Sequence, residues 1–367
     1  MKAALSTVSL DPLRAQHEQL RRRLRALIFE GRLQTGDRLP SIEILARRWG
    51  SHVPTVHRAL VELQKEGLVV RCHGRGTFVA ERTTRLRTLA FYSGENIDEH
   101  SDDSFLRAVR HALQKRLAHE GAQIAGWWDP RPRRAQASAL PALAQEAGRR
   151  SFEALVSIDC SNAALPWLMR LPVATAFVTA RAIPQAVNFD FEQFMGLAVD
   201  ALRRLGCRSA GLLWPWAAQA EPPSRHSDLC GRFRALAAQQ GIRVEPSWVI
   251  RPSRTARIRP GRQEARGYEF FKALWISGSR PEGVVLYPDY LTRGALLAML
   301  ELGLRVPRDV KIVTHRNTAG PFLCPVPAVF LESDEAAVAD ALLRQVKRQI
   351  RGEAPEKECV GFRVIKG

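Results

Sequence analysis

The sequence predicts an α/β protein in two parts: a head of three helices and a β-hairpin over residues 1–80, then a two-lobed body of doubly wound parallel sheets over 88–367, joined by a charged connector at 81–87. Three observations predict it. Apolar residues at helical spacing give way, after Gly67, to two short β segments around the paired glycines Gly74 and Gly76. From Leu89 onward, runs of strand formers alternate with amphipathic helical runs, the pattern of a parallel sheet covered by helices. A chain of 367 residues at 46% hydrophobic content can bury a core in each of two or three domains.

The head reads as a winged helix-turn-helix. Leu20, Leu24, Leu27 and Ile28 share one face of a first helix between Pro12 and Gly31, with Arg21, Arg22, Arg23 and Arg25 on the other faces. Gly31 ends it. Ser41 caps a second helix that buries Ile42, Leu45, Ala46 and Trp49, and Pro40 discourages helix upstream of it. Gly50-Ser51-His52 makes a tight turn, and Pro54 suits the first position of the third helix. That helix buries Val56, Ala59, Leu60 and Leu63. Pro54, Arg58 and Lys65 then face outward with Thr55 and His57 on the flanks, the surface a recognition helix offers to a major groove. The wing follows as Leu68–Val70 and Thr77–Val79 around His73-Gly74-Arg75-Gly76, whose glycines let Arg75 approach a minor groove or phosphates.

The body begins with strand 89–92, helix 105–120, strand 122–127, helix 135–149 and strands 155–158 and 174–178. The series restarts with helix 191–205, strand 210–214, helix 227–240, strand 248–250, helix 262–276, strand 283–287, helix 292–302 and strand 311–313. Ligands of such sheets bind beyond the carboxyl ends of strands, between the lobes. The residues there are Ser93, Glu95 and Asn96; Trp128 and Asp129; Asp159; Trp214 and Trp216; Asp289 and Tyr290; and His315, Arg316 and Asn317. Aromatic faces beside carboxylates and amides suit a polyhydroxylated ligand, the ring stacking on C–H surface while charged groups accept hydroxyl hydrogens.

Gly36-Asp37-Arg38-Leu39-Pro40-Ser41, Thr55-Val56-His57-Arg58-Ala59-Leu60, Glu66-Gly67-Leu68-Val69 and Gly74-Arg75-Gly76-Thr77-Phe78-Val79 stand in the order of the GntR pattern. The head therefore resembles the DNA-binding domain of that family of bacterial transcription factors. Where the family usually carries arginine, this chain has Glu43, His52-Val53 and His57. Arginine grips guanine bidentately and histidine does not, so the resemblance implies DNA binding without implying the family's operator sequence. Candidate DNA contacts are Arg38, Ser41, His52, Thr55, His57, Arg58, Lys65, His73 and Arg75.

Residues 87–365 resemble the effector domain of the LacI family, which shares the fold of periplasmic sugar-binding proteins. The carrying segments are Val187-Asn188-Phe189-Asp190 with Leu205-Gly206-Cys207-Arg208, Gly283 to Asp289 before Gly294, and Leu302 to Val313. The resemblance places Asp289 at a position that often touches the effector. Where that pattern carries an arginine, three residues before Gly231, this chain has Asp228, with Arg225 one helical turn earlier. Candidate effector contacts are Ser93, Asn96, Trp128, Asp159, Trp214, Arg225, Asp289 and His315.

Composition bounds the partners. The chain holds 55 Lys and Arg against 37 Asp and Glu, a net charge of +18. Its first 85 residues carry 16 basic and 8 acidic side chains, hence +8 in under a quarter of the length, which favours polyanions. Six cysteines stand singly without a Cys-x-x-Cys pair, and the histidines are scattered, so neither a metal site nor a disulfide framework is expected. No Walker loop, Gly-x-Ser-x-Gly or His-Glu-x-x-His occurs, and no catalytic residue or cofactor is assigned. No secretion signal or bilayer-spanning run appears. The expectation is a cytoplasmic, homodimeric repressor that binds operator DNA under control of a small molecule such as a sugar. The alternatives are a basic enzyme of sugar metabolism and a nonspecific architectural DNA binder.

Overall fold

A computed structural model describes residues 16–29, 32–65, 67–80, 86–94, 104–179, 181–215, 228–252, 263–276, 278–318 and 322–366. The chain divides into two units, one of residues 1–96, 114–177 and 342–356, the other of 97–113, 178–341 and 357–367.

In the first unit, α1 (Gln16–Phe29), α2 (Ile42–Arg48) and α3 (Val53–Lys65) precede the hairpin β1 (Val69–Cys72) and β2 (Gly76–Val79). One core unites them: Leu20, Leu24 and Leu27 of α1, Leu45 and Trp49 around α2, Val56, Leu60 and Leu63 of α3, and Val69 and Val79 of the wing. Each such leucine contributes roughly 2 kcal/mol by leaving water. Ser41 caps α2 as expected, its Oγ accepting from the Ile44 N–H at 3.4 Å, and Gly50 takes φ +56° in the turn. Pro54 is the second residue of α3 rather than the first; that position also lacks an intrahelical N–H partner, so proline fits equally well. The expected Gly31 terminus lies outside the described residues. The wing gains an edge the sequence reading missed: Leu39 N donates to Thr77 O at 2.8 Å and Val79 N to Asp37 O at 2.9 Å, with Arg38 bridged to Phe78.

The same unit contains β3 (Thr88–Ser93), β4 (Gln123–Trp128), β5 (Ala154–Ser157) and β6 (Ala174–Val178), with α4 (Ser104–His119) between β3 and β4 in chain order. They pair parallel in the order β4-β3-β5-β6. Strand order therefore reverses between β3 and β5, the switch point at which such sheets open a crevice. The helix expected over 135–149 begins only at Pro141 as α5 (Pro141–Arg149), with Ala135–Ala137 a separate 3-10 turn. Pro141 is the cause, because the residue before a proline is steered away from the helical region.

The second unit's main sheet runs β14-β12-β11-β10-β8-β9, from β8 (Ala210–Leu213), β9 (Val249–Ile250), β10 (Gly283–Leu286), β11 (Lys311–Asn317), β12 (Val329–Ser333) and β14 (Phe362–Lys366). All pair parallel except β14, which lies antiparallel to β12. Its switch point is between β8 and β10. A short parallel pair, β7 (Ala186–Phe189) and β13 (Glu358–Val360), belongs to this unit as well. Asp190 caps α7 (Phe191–Arg204), accepting from Gln193 N at 2.9 Å. Asp228 caps α8 (Leu229–Gln239), accepting from Gly231 N at 3.0 Å. Helix α10 (Asp289–Glu301) starts three residues before the expected Thr292 and packs on α9 (Gln263–Ile276). Beyond the last expected strand at 311–313 the chain adds β12, α11 (Glu335–Ile350), β13 and β14.

Candidate nucleic-acid interface and ligand site

In the head, α3 keeps Val56, Ala59, Leu60 and Leu63 fully buried and leaves His57 and Arg58 exposed with Thr55 half-buried. His52 is exposed in the turn before it. The expected division of faces is what the fold displays. Arg58 is bridged to Glu62 one turn on at 3.7 Å, and it remains 69% exposed. Glu62 also takes Arg21 at 3.5 Å and His17 at 3.7 Å, which ties α1 to α3. Screened surface pairs of this kind are worth well under about 1 kcal/mol each, so Arg58 can exchange its carboxylate for DNA.

His57 does not stand alone as a base contact. Arg71 of β1 donates from Nη1 to its Nε2 at 3.2 Å. His73 and Arg75 are exposed at the wing tip, closed by Arg75 N donating to Cys72 O at 3.0 Å. Arg38 joins them, since a Cβ on Gly76 would lie 3.0 Å from its Nε. Gly76 at φ +113° thus gives the arginine room to cross the wing. Ser41 Oγ accepts the capping hydrogen bond and keeps its own hydroxyl proton to donate. The side chain of Lys65 lies outside the described residues. Arg71 was missed by sequence reasoning; only the strand register, which sets it on the same face as buried Val69, would have shown it.

In the first unit, Ser93 and Asp159 meet at the switch point, the Ser93 hydroxyl donating to Asp159 Oδ1 at 3.0 Å. Gln136 lies beside them, its Nε2 donating to Arg131 O at 3.0 Å. Among the described residues its Oε1 is buried without a hydrogen-bond partner. Asp129 is fully buried under a guanidinium fork, with Arg131 Nε at 2.8 Å and Nη2 at 2.7 Å, and it accepts from the Tyr92 hydroxyl at 2.8 Å. Burial alone would raise its carboxyl; the Arg131 fork and the Tyr92 hydroxyl outweigh that and hold it below the usual range. Trp128 is half-buried, its ring folded back against Gly126. Asn96 lies outside the described residues.

In the second unit, Trp214 and Tyr287 meet at the other switch point with ring centroids 5.0 Å apart. Phe191 and Phe194 pack around them, and Phe362 packs on those two phenylalanines. Trp214 is only 2% exposed, so it does not present the open stacking face the sequence suggested; Phe191, Phe194 and Tyr287 supply its neighbours instead of solvent. Asp289 sits in the first turn of α10, bridged to Arg293 at 3.6 Å. His315 is buried over Tyr287, centroids 4.8 Å apart. Ser333 donates to Asn317 Oδ1 at 2.8 Å and has its oxygen 3.0 Å from His315 Nε2. The serine proton is thus committed to Asn317, and His315 carries its own proton on Nε2. Among the described residues Nδ1 has no partner. Burial pushes the His315 imidazole down to about 3, so it is neutral. Asp228, found where the resemblance expects an arginine, is occupied as the α8 cap; Arg225 and Trp216 lie outside the described residues.

Among the described residues no helix is long and apolar enough to cross a membrane, and no cluster of three potential metal ligands occurs.

Comparison with known proteins agrees with both halves. Residues 16–79 match the family model of bacterial regulatory proteins, gntR family, and residues 199–366 that of a periplasmic binding protein-like domain. The transcriptional repressor YtrA of Bacillus subtilis is 33% identical over 76 residues, 20% of this chain and 58% of its own length. The arabinose metabolism transcriptional repressor of Halalkalibacterium halodurans is 21% identical over 321 residues, 83% of this chain and 81% of its own. Among solved structures, the transcriptional regulator CelR–cellobiose complex superposes with a TM-score of 0.60 at 14% identity, over 89% of this chain and 98% of that one. The chain thus spans just over half of YtrA, and its likeness to CelR is one of fold. These relatives are transcriptional regulators rather than enzymes.

Proposed function

We propose that this chain, a gntR-family winged helix-turn-helix joined to a periplasmic-binding-protein-like body, is a sequence-specific transcriptional regulator, acting as a repressor whose operator affinity is set by a small molecule held in the body. The observation that carries it is the face of α3: four side chains are wholly buried, and His57 and Arg58 stand out beside an arginine-tipped wing. A helix so divided can enter a major groove while its core face holds the head together. In this reading residues 1–80 are the DNA-binding head, 81–87 a linker and 88–367 the effector-binding and dimerising body. Two copies would present two recognition helices to a roughly palindromic operator in the cytoplasm, where the chromosome lies. The polar set Ser93, Gln136 and Asp159 suits a carbohydrate, the class of molecule in the names of the cellobiose-bound regulator and the arabinose repressor. No catalytic role is assigned to any residue.

The test is selection of duplexes from a random pool by the full chain, wild type beside Arg58→Ala. Enrichment of a two-fold symmetric sequence is expected. Loss of Arg58 should relax the preference at one position in each half-site, at about 1–3 kcal/mol per contact. Enrichment of nothing, with equal binding to all duplexes, would identify a nonspecific DNA binder instead.

A further inference from the structure

The seam between the recognition helix and the wing holds a cation that sequence reasoning did not assign. Arg71 sits in β1, opposite Thr77 in the hairpin register and two residues from buried Val69, so it lies on the face turned toward the helices. Its Nη1 reaches the Nε2 of His57 on α3, at 3.2 Å across fourteen residues of chain. A guanidinium has donors and no acceptor, so the imidazole must accept. In that contact the ring's own N–H is at Nδ1. Two things follow. His57 has its acceptor nitrogen committed to Arg71 and keeps a single N–H to offer elsewhere. Arg71 retains its full charge: among the described residues it pairs with no carboxylate, unlike Arg58, which shares Glu62.

We propose that Arg71 is a DNA contact delivered from the wing, and that His57 is its positioning residue. A long arginine side chain loses up to about 2 kcal/mol of rotamer freedom when it is fixed on a ligand. An acceptor that already holds one nitrogen of the fork removes part of that cost before DNA arrives, leaving the remaining N–H groups for paired acceptors. Those acceptors are found on the guanine edge and on phosphate alike. The proposal rests on the head binding duplex DNA, and it concerns which side chains do so.

The experiment uses the full chain and the duplex that the wild type selects, with a panel of single-base variants of that duplex measured at several salt concentrations. Arg71→Ala should bind about tenfold more weakly. If the fork reads guanine, the loss appears as a flattened preference at one base position; if it holds phosphate, the loss is uniform and the salt slope falls by about one. Either form supports the contact. His57→Ala should lose a similar factor, and the double variant no more than Arg71→Ala alone, because both substitutions break one device. His57→Gln, which keeps an acceptor, should restore most of the affinity, while the melting temperatures of all variants stay together. Wild-type affinity, base profile and salt slope in Arg71→Ala would overturn the proposal. So would losses from His57→Ala and Arg71→Ala that simply multiply. A wild type that binds no duplex at all would overturn the proposed function as well, a result distinct from either of these.

Discussion

At the scale of single residues, function turns on which polar atoms are already spoken for. Ser41 spends a lone pair on the Ile44 N–H, a long bond at 3.4 Å, so Ser41→Ala should cost about 0.5–1 kcal/mol of stability in chemical denaturation. Asp228 is committed in the same way, which explains how a carboxylate can occupy a place where an arginine clamp was expected. His315 carries a pH signature. The folded protein keeps it neutral down to about 3, whereas a free imidazole takes its proton near 6.5. Between those values the unfolded chain binds the extra proton. The contribution to stability is therefore whole above about pH 6.5 and is lost progressively as pH falls toward 3. Denaturation of His315→Gln across that range should show a shallower decline than the wild type; parallel curves would mean that His315 is not held neutral. The sequence could nominate His57 and His315 because each lies at the right place along its element. It could not reveal Arg71 or Ser333 as their partners, since those contacts depend on strand register and on a sheet neighbour eighteen residues away.

At the scale of elements, close backbone approach fixes the α9–α10 pair. A Cβ on Gly294 would overlap the Glu264 carbonyl, and one on Gly267 would overlap that of Leu291. Because both obstacles are backbone, neither can swing away. Gly294→Ala should then destabilise by at least about 1–3 kcal/mol, despite alanine's better helix propensity. Unchanged stability would place the two helices further apart than described here. Helix and strand alternation was legible wherever apolar periodicity ran long, as in α3, α7 and α9. It was less so where proline cut a helical pattern at Pro141, or where elements were short: α6 (Leu165–Leu168) spans four residues and β13 three. The head was legible almost throughout, because its turns depend on local chemistry, on Ser41, Gly50 and the wing glycines. The aromatic cluster was half legible. Trp214 and Tyr287 fell at strand ends as expected, but Phe362 arrives from a strand nearly 150 residues later in the chain, and nothing local announces it.

For the molecule as a whole, net charge and division of labour set the behaviour. With +18 overall and +8 in its first 85 residues, the protein should bind duplex DNA with affinity that falls linearly in log–log form as salt rises, each neutralised phosphate contributing close to one unit of slope. Charge alone would serve any sequence. Selectivity would come from the face of α3 and the wing beside it, and any ligand that changes operator affinity would have its own affinity changed by operator by the same factor. The most direct measurement is a paired titration of the full chain against its selected duplex and a scrambled duplex of equal composition, at matched salt. The account expects the selected duplex to bind roughly a thousandfold tighter or more, with both curves weakening as salt rises. Equal affinity for the two duplexes at every salt concentration would contradict it.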